Sequence, residues 1–206
     1  MRPLLAASLC LALLVPGVAR AQGEAAAPLE DKPAVQLNEV ERGLFFGAQA
    51  GAVLLFGPGA QQGSGLSMGQ SLGVTVGVDI GELLSVGLLV LGSHIDTPPG
   101  FTAESGMRGD FSTLTIGALA RVNLFGSPDS NGIKRLFVDV HAGGGLGLMG
   151  PKNIYPSSDI VVLGGTGLQY FTHLRHFSIG LDADFLFGVS NMGPGAMLSP
   201  YLRYTF

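Results

Sequence analysis

Asp79, Arg121, Asp139, His141, Asp182, Asp184 and Arg203 fall in segments where every second residue is apolar, and all seven occupy the other positions. In an extended chain alternate side chains share a face. All seven therefore turn away from the apolar face of their own segment. Gathered in one interior, they offer two kinds of chemistry. Two arginines among four aspartates can pair into a salt-bridged plug. Alternatively, the acids and the histidine can pass an ion or proton along continuous water. Pairing is the reading taken, because charges held away from water ordinarily find opposite partners. Asp182-Ala183-Asp184 sets two carboxylates on one face, as a Ca²⁺ half-site or an acid dyad would. It is assigned to the same plug.

The other candidates for chemistry are weaker. Gly145 to Gly150 (GLGLMG) fits the dinucleotide-binding pattern, but that turn must open a helix, and Pro151 and Pro156 prevent one. Gly65 to Gly69 and Gly69 to Gly73 both fit G-x-S-x-G around Ser67 and Ser71. A nucleophile elbow runs from strand to helix, whereas here a loop runs into a strand. With 33 glycines in 206 residues, such matches arise by accident. His173 and His176 share a short turn with no third ligand at hand, so they read as solvated. His94 beside Ser93 is the one His/Ser grouping near the end of an apolar segment, and no carboxylate is evident on a neighbouring segment. No catalytic residue, metal site or cofactor is assigned, and the expectation is a protein that is not an enzyme.

Strands must position the seven inward groups. The period-two pattern predicts them at 44–56, 72–80, 84–95, 113–125, 136–148, 160–171, 177–188 and 198–206. Leu72, Val74, Val76, Val78 and Ile80 against Gly73, Thr75, Gly77 and Asp79 is the clearest. The 84–95 segment is apolar on both faces, and 160–171 is the weakest. Eight is an even number, as an antiparallel barrel with both ends on one side requires. Most segments match the roughly 9–11 residues of a tilted membrane-crossing strand. Connections 57–70, 96–112, 149–159 and 189–196 then lie at one end, and 81–83, 126–135 and 172–176 at the other. Outward Phe46, Tyr170, Phe177, Tyr204 and Phe206 gather near one rim, and Phe56, Phe185 and Phe187 near the other, as interfacial aromatics do. The fold class expected is all-β, an eight-stranded antiparallel up-and-down transmembrane barrel over 43–206.

Composition agrees. Hydrophobic residues are 47% and charged residues 13% of the chain, yet nothing after the first twenty residues approaches the roughly 18 apolar residues of a membrane helix. Residues 1–21 read as a signal peptide: a basic Met1-Arg2 start, an apolar run from Leu4 to Val15, and Ala19-Arg20-Ala21 before Gln22. Cleavage there removes Cys10, the single cysteine, so no disulfide framework follows. It leaves 9 basic against 15 acidic residues, which argues against nucleic acid as a partner. Residues 22–42 are polar and rich in Ala, Glu and Pro, a periplasmic leader read as partly disordered.

The C-terminal Leu-Ser-Pro-Tyr-Leu-Arg-Tyr-Thr-Phe (198–206) resembles the C-terminal signal of bacterial outer-membrane β-barrels. That resemblance implies that Tyr204 and Phe206 are read by the barrel assembly machinery. Residues 43–206 resemble the small barrels similar to the transmembrane domain of outer-membrane protein A. Glu41-Arg42-Gly43-Leu44-Phe45-Phe46-Gly47, with 8 Arg and 3 Lys in the chain, also resembles an adventurous gliding-motility barrel of myxobacteria. These resemblances imply an integral outer-membrane protein with both termini in the periplasm. They imply outer-membrane lipids, the assembly machinery and envelope proteins as partners, and a structural or interaction role in the cell envelope. Some small barrels of this kind modify lipid A, so acyl transfer or deacylation is the alternative. A narrow pore ranks below it, because eight strands leave a lumen that side chains fill.

Overall fold

The computed structural model describes residues 40–56, 66–96, 109–152, 158–190 and 192–206. The signal peptide and the leader as far as residue 39 lie outside the described residues. Eight strands follow one another: β1 Leu44–Phe56, β2 Leu66–Ile80, β3 Leu84–Asp96, β4 Phe111–Pro128, β5 Lys134–Gly150, β6 Asp159–Phe171, β7 Phe177–Gly188 and β8 Gly193–Thr205. Each pairs antiparallel with the next, and β8 pairs back onto β1, so the sheet closes into a barrel. Closure removes the unpaired edges that an open sheet would expose.

The alternation explains the two faces. Down β2 to β4 the outward rows are Leu72/Gly92/Leu114, Val74/Val90/Ile116, Val76/Leu88/Ala118, Val78/Val86/Ala120 and Ile80/Leu84/Val122, without a polar residue among them. Leu72 is 69% and Leu88 70% exposed. Large apolar side chains this open make sense only against hydrocarbon.

Several boundaries differ from the sequence expectation. β2 starts at Leu66, not Leu72, because Ser67 and Ser71 continue the inward parity and are buried. β8 starts at Gly193, not 198, through a Gly/Pro stretch that carries no periodicity signal. β4 begins at Phe111, two residues early. The expected 126–135 turn contracts to 129–133. The Asp129 carboxylate accepts from the Asn131 and Ile133 N–H groups at 2.8 and 3.1 Å and nucleates a tight turn. A register shift between Asn123 and Phe125 places a bulge at Leu124 and lets β4 run on. All three connections at that end are therefore short.

Candidate functional site

The lumen is filled in two storeys. In the half nearer the termini lies the charge network. Arg121 donates to Asp139 at 2.8 Å, to both oxygens of Asp182 at 3.0 and 2.6 Å, and to the Tyr201 hydroxyl at 3.2 Å. Its guanidinium also lies over the Tyr201 ring, 5.0 Å from the centroid. His141 sits between two carboxylates, Nδ1 2.9 Å from Asp139 and Nε2 2.6 Å from Asp184. Each ring nitrogen thus faces a carboxylate oxygen. Arg203 pairs with Asp79, which also accepts from the Ser85 hydroxyl at 2.6 Å. The seven inward groups singled out in the sequence thus divide into an Arg121–Asp139–Asp182–His141–Asp184 cluster and an Arg203–Asp79 pair. Asp184 has the histidine, not an arginine, as its counter-ion.

Backbone choice makes room for the cluster. A Cβ on Gly167 would lie 2.7 Å from an Asp139 oxygen and 2.9 Å from an Arg121 nitrogen. On Gly180 it would meet the Tyr201 ring at 2.5 Å. A cavity of about 40 Å³ adjoins Arg121, Asp182, Tyr201 and Arg203. Arg203 Nε is buried without a partner among the described residues, and the cavity can hold an ordered water for it.

The other half of the lumen is built around an apolar cluster, with Ser67, Ser71, Thr113, Thr115 and Asp159 buried beside it. Leu55, Ile95, Phe111, Val161, Leu186 and Met197 pack there, each at most 4% exposed. Sequence reasoning missed this plug. Its signal was the appearance of large apolar residues on the inward face towards one end of several strands, plainest in Leu89 and Leu91 of β3.

Short contacts close the end where β1 begins and β8 ends. The Arg42 guanidinium lies over Phe137 and Phe171, 5.0 Å from each ring centroid. Burial lowers its proton affinity, and Asp79 and Glu82 oppose the shift. Arg135 donates to Asp129 at 2.8 Å and to the Thr172 carbonyl at 2.9 Å. That bond, with those from Ile133 and Asn131, holds the Asp129 carboxyl below the usual carboxylate range. His176 is occupied structurally: Nδ1 is 2.8 Å from the Thr205 carbonyl and the ring stacks on Tyr204. His173 is exposed and joins no cluster of metal-ligating groups among the described residues. Tyr204 packs edge-on with Phe177 and Phe206 at 5.0 Å each.

A third group stands outside the barrel. His94 does not belong with Ser93, which lies on the opposite face of β3. Its partner is Ser112, directly across on β4, with Nδ1 3.0 Å from Oγ. Its other nitrogen, Nε2, is 3.6 Å from Asp96, so a carboxylate does flank the ring, from its own strand. One ligand atom each of His94, Asp96 and Asp110 lie within 4.8 Å of one another. Below His94 an outward groove of about 700 Å³ runs past Gln70, Leu72, Val74, Val90, Gly92 and Leu114. The discounted motifs are strand: 145–150 ends β5, and Ser67 and Ser71 point inward from β2.

No protein-family model matches the chain, and no curated protein does. Solved structures do. Neisserial surface protein A aligns with TM-score 0.51 and 16% identity, covering 79% of this chain and 97% of that one. The N-terminal β-barrel domain of Pseudomonas aeruginosa OprF aligns with TM-score 0.42, 13% identity and coverages of 80% and 98%. The outer membrane enzyme PagL aligns with TM-score 0.46, 13% identity and coverages of 79% and 99%. At these identities the likeness is one of fold. The chain has the fold of the small eight-stranded outer-membrane β-barrels.

Proposed function

We propose that this is a non-conducting barrel of the bacterial outer membrane, an envelope structural and interaction protein that works through its outer surfaces rather than its lumen. The observation that carries this reading is the two-storey filling. An ion crossing the barrel would have to break the Arg121 cluster and then pass the close-packed Leu55, Ile95 and Phe111. Orientation is argued from the connections. Both described strand ends nearest the termini and the three short turns lie at one end, which in outer-membrane barrels is the periplasmic one. The rim formed by the strand ends Phe56, Leu66, Asp96 and Phe111 is then the one that faces the cell exterior. Assembly machinery and envelope proteins are the partners this reading takes. A motility role rests on the resemblance of 41–47 alone.

The test is conductance in planar lipid bilayers. Purified protein should insert without current steps, and Leu55→Ser with Ile95→Ser should begin to leak. Steady current through the unmodified protein would overturn the closed-lumen reading. Crosslinking in intact cells, followed by purification, then identifies the envelope partners.

A further inference from the structure

We propose that Ser112, His94 and Asp96 form an ester-hydrolysing site on the lipid-facing surface of the barrel, acting on an ester-linked acyl chain of an outer-leaflet lipid. The inference adds chemistry to the outer surface and takes the membrane orientation from the function proposed above.

Three independent observations converge. The first is geometry. Ser112 Oγ lies 3.0 Å from His94 Nδ1, within general-base reach, while Asp96 flanks Nε2 at 3.6 Å. Asp96, beyond hydrogen-bond length, acts on Nε2 through its charge, which favours a proton there and leaves the Nδ1 lone pair for the serine hydroxyl. The second is height. His94 is ten residues along β3 from Leu84. At about 3.3 Å per residue and a tilt of about 40°, that is roughly 25 Å, the full thickness of the apolar band. The group therefore sits at the water boundary, where an ester carbonyl of a membrane lipid also lies. The third is the groove beneath it. Five wholly apolar rows descend from Gln70/His94/Ser112, and a Cβ at Gly92 would meet nothing nearer than the Leu72 carbonyl at 3.7 Å. The missing side chain leaves a mostly apolar groove that reaches His94, the partner of Ser112.

Towards this rim β2–β4 present Gln70, His94 and Ser112 outward in one row. Described outward residues near the same rim on the other strands include Phe56, Leu148, Ile160, Phe187 and Pro194, with Ser158 exposed just before β6.

The reaction balances with water as the only co-reactant. Ser112 Oγ attacks the ester carbonyl as its proton passes to His94 Nδ1. The C–O bond breaks, and the alcohol leaves with that proton. Water, deprotonated by His94, then attacks the acyl-serine, releases the fatty acid and returns the proton to Ser112. Asp96 is a positioning residue that holds the ring.

The experiment uses the full mature protein folded in detergent. A fluorophosphonate probe should modify Ser112, read by peptide mass spectrometry, and S112A should abolish the adduct. H94Q should slow labelling and p-nitrophenyl palmitate turnover at least a hundredfold. D96N should lower kcat more than tenfold with KM within twofold, which a merely structural loss would not do. Gly92→Leu should raise KM for the palmitate ester. Vesicles of phosphatidylethanolamine with phosphatidylglycerol, with and without lipid A, show which lipid yields free fatty acid. Heat-modified gel mobility reports folding of each variant. The proposal is overturned if folded protein gives no Ser112 adduct or if H94Q reacts at the unmodified rate. It is equally overturned if Ca²⁺ binds in titration calorimetry, D96N abolishes that binding, and Ser112 stays unlabelled. None of these outcomes depends on whether the lumen conducts.

Discussion

Arg121→Met removes the hub of the lumen. The arginine makes three bonds to two carboxylates and one to Tyr201, with its guanidinium against that ring. Asp139 is fully buried and Asp182 is 4% exposed. Breaking a buried ion pair by deleting one partner costs about 3–5 kcal/mol, because the remaining charge has no water to turn to. Asp139 keeps His141 at 2.9 Å, so one of the two carboxylates retains a partner. Asp182 loses all of its guanidinium bonds. The lower end of the range, about 3 kcal/mol, is therefore expected. The chain has no tryptophan, so urea unfolding in lipid vesicles is best followed by heat-modified gel mobility and circular dichroism. Arg121→Met with Asp182→Asn should recover more than about 1 kcal/mol of the loss, since the orphaned charge goes too. Lys134→Met breaks only the Glu82 pair at 3.2 Å, where both side chains are more than half exposed. It should change stability by less than about 1 kcal/mol. If Arg121→Met unfolds at the same urea concentration as the unmodified protein, water reaches the lower storey and the plug does not exist.

Gly167→Ala should destabilise the barrel by about 1–3 kcal/mol in the same unfolding assay, because its Cβ would press on Asp139 and Arg121; an unchanged midpoint would mean that the ion cluster is loosely packed. Deleting Phe206 removes a ring 63% exposed and one backbone bond to Leu44; the yield of inserted protein should fall while unfolding of the inserted fraction shifts little, and equal yields would rule out an assembly role. Asp129 has a depressed carboxyl pKa when folded, so its contribution to the 129–133 turn is present above the unfolded value near 3.9 and lost as pH falls through the folded one. The protection factors at Asn131 and Ile133, which are exchange rates corrected for the intrinsic effect of pH, should therefore hold at pH 5 and fall in stronger acid, and Asp129→Ala should lower them at pH 5. Edman sequencing of protein from outer-membrane fractions should begin at Gln22; a soluble periplasmic protein with that start would contradict the membrane assignment.

The strands were legible because hydrocarbon outside and charge inside impose the same period. Asp79, Arg121 and Arg203 mark the parity that the burial of β2, β4 and β8 follows. What stayed hidden depends on which residues meet across the barrel. Inward leucines such as Leu89 and Leu91 look like noise in a period-two test, because the test assumes that the inside is polar. Arg42 reads as a leader residue until its partners Phe137 and Phe171, far along the chain, are brought to the same opening. Ser112 fell before the expected start of β4, and a serine in a loop has no register. Only the pairing of His94 with Ser112 set hydroxyl and imidazole side by side. Asp129-Ser130-Asn131-Gly132 carried its turn chemistry openly, and the structure tightens it as those residue types dictate.

A filled lumen and an apolar jacket restrict where this molecule can meet anything polar. A cationic side chain facing lipid costs about 2–4 kcal/mol at the midplane and close to nothing at the interface. The rows from Leu72/Gly92/Leu114 downward follow that cost without exception on β2–β4. At the outer rim the cost vanishes, so solvation no longer dictates the residue. There β2–β4 carry Gln70, His94, Asp96 and Ser112, while Phe56, Leu148, Ile160 and Phe187 stand outward towards the same rim on other strands. Solubility in the membrane does not by itself call for this patch. The patch also carries a cross-strand bond at 3.0 Å above an open groove, which scattered rim polarity would not require. Function that is not lumenal is most sharply tested at that boundary, where one serine can be labelled or not.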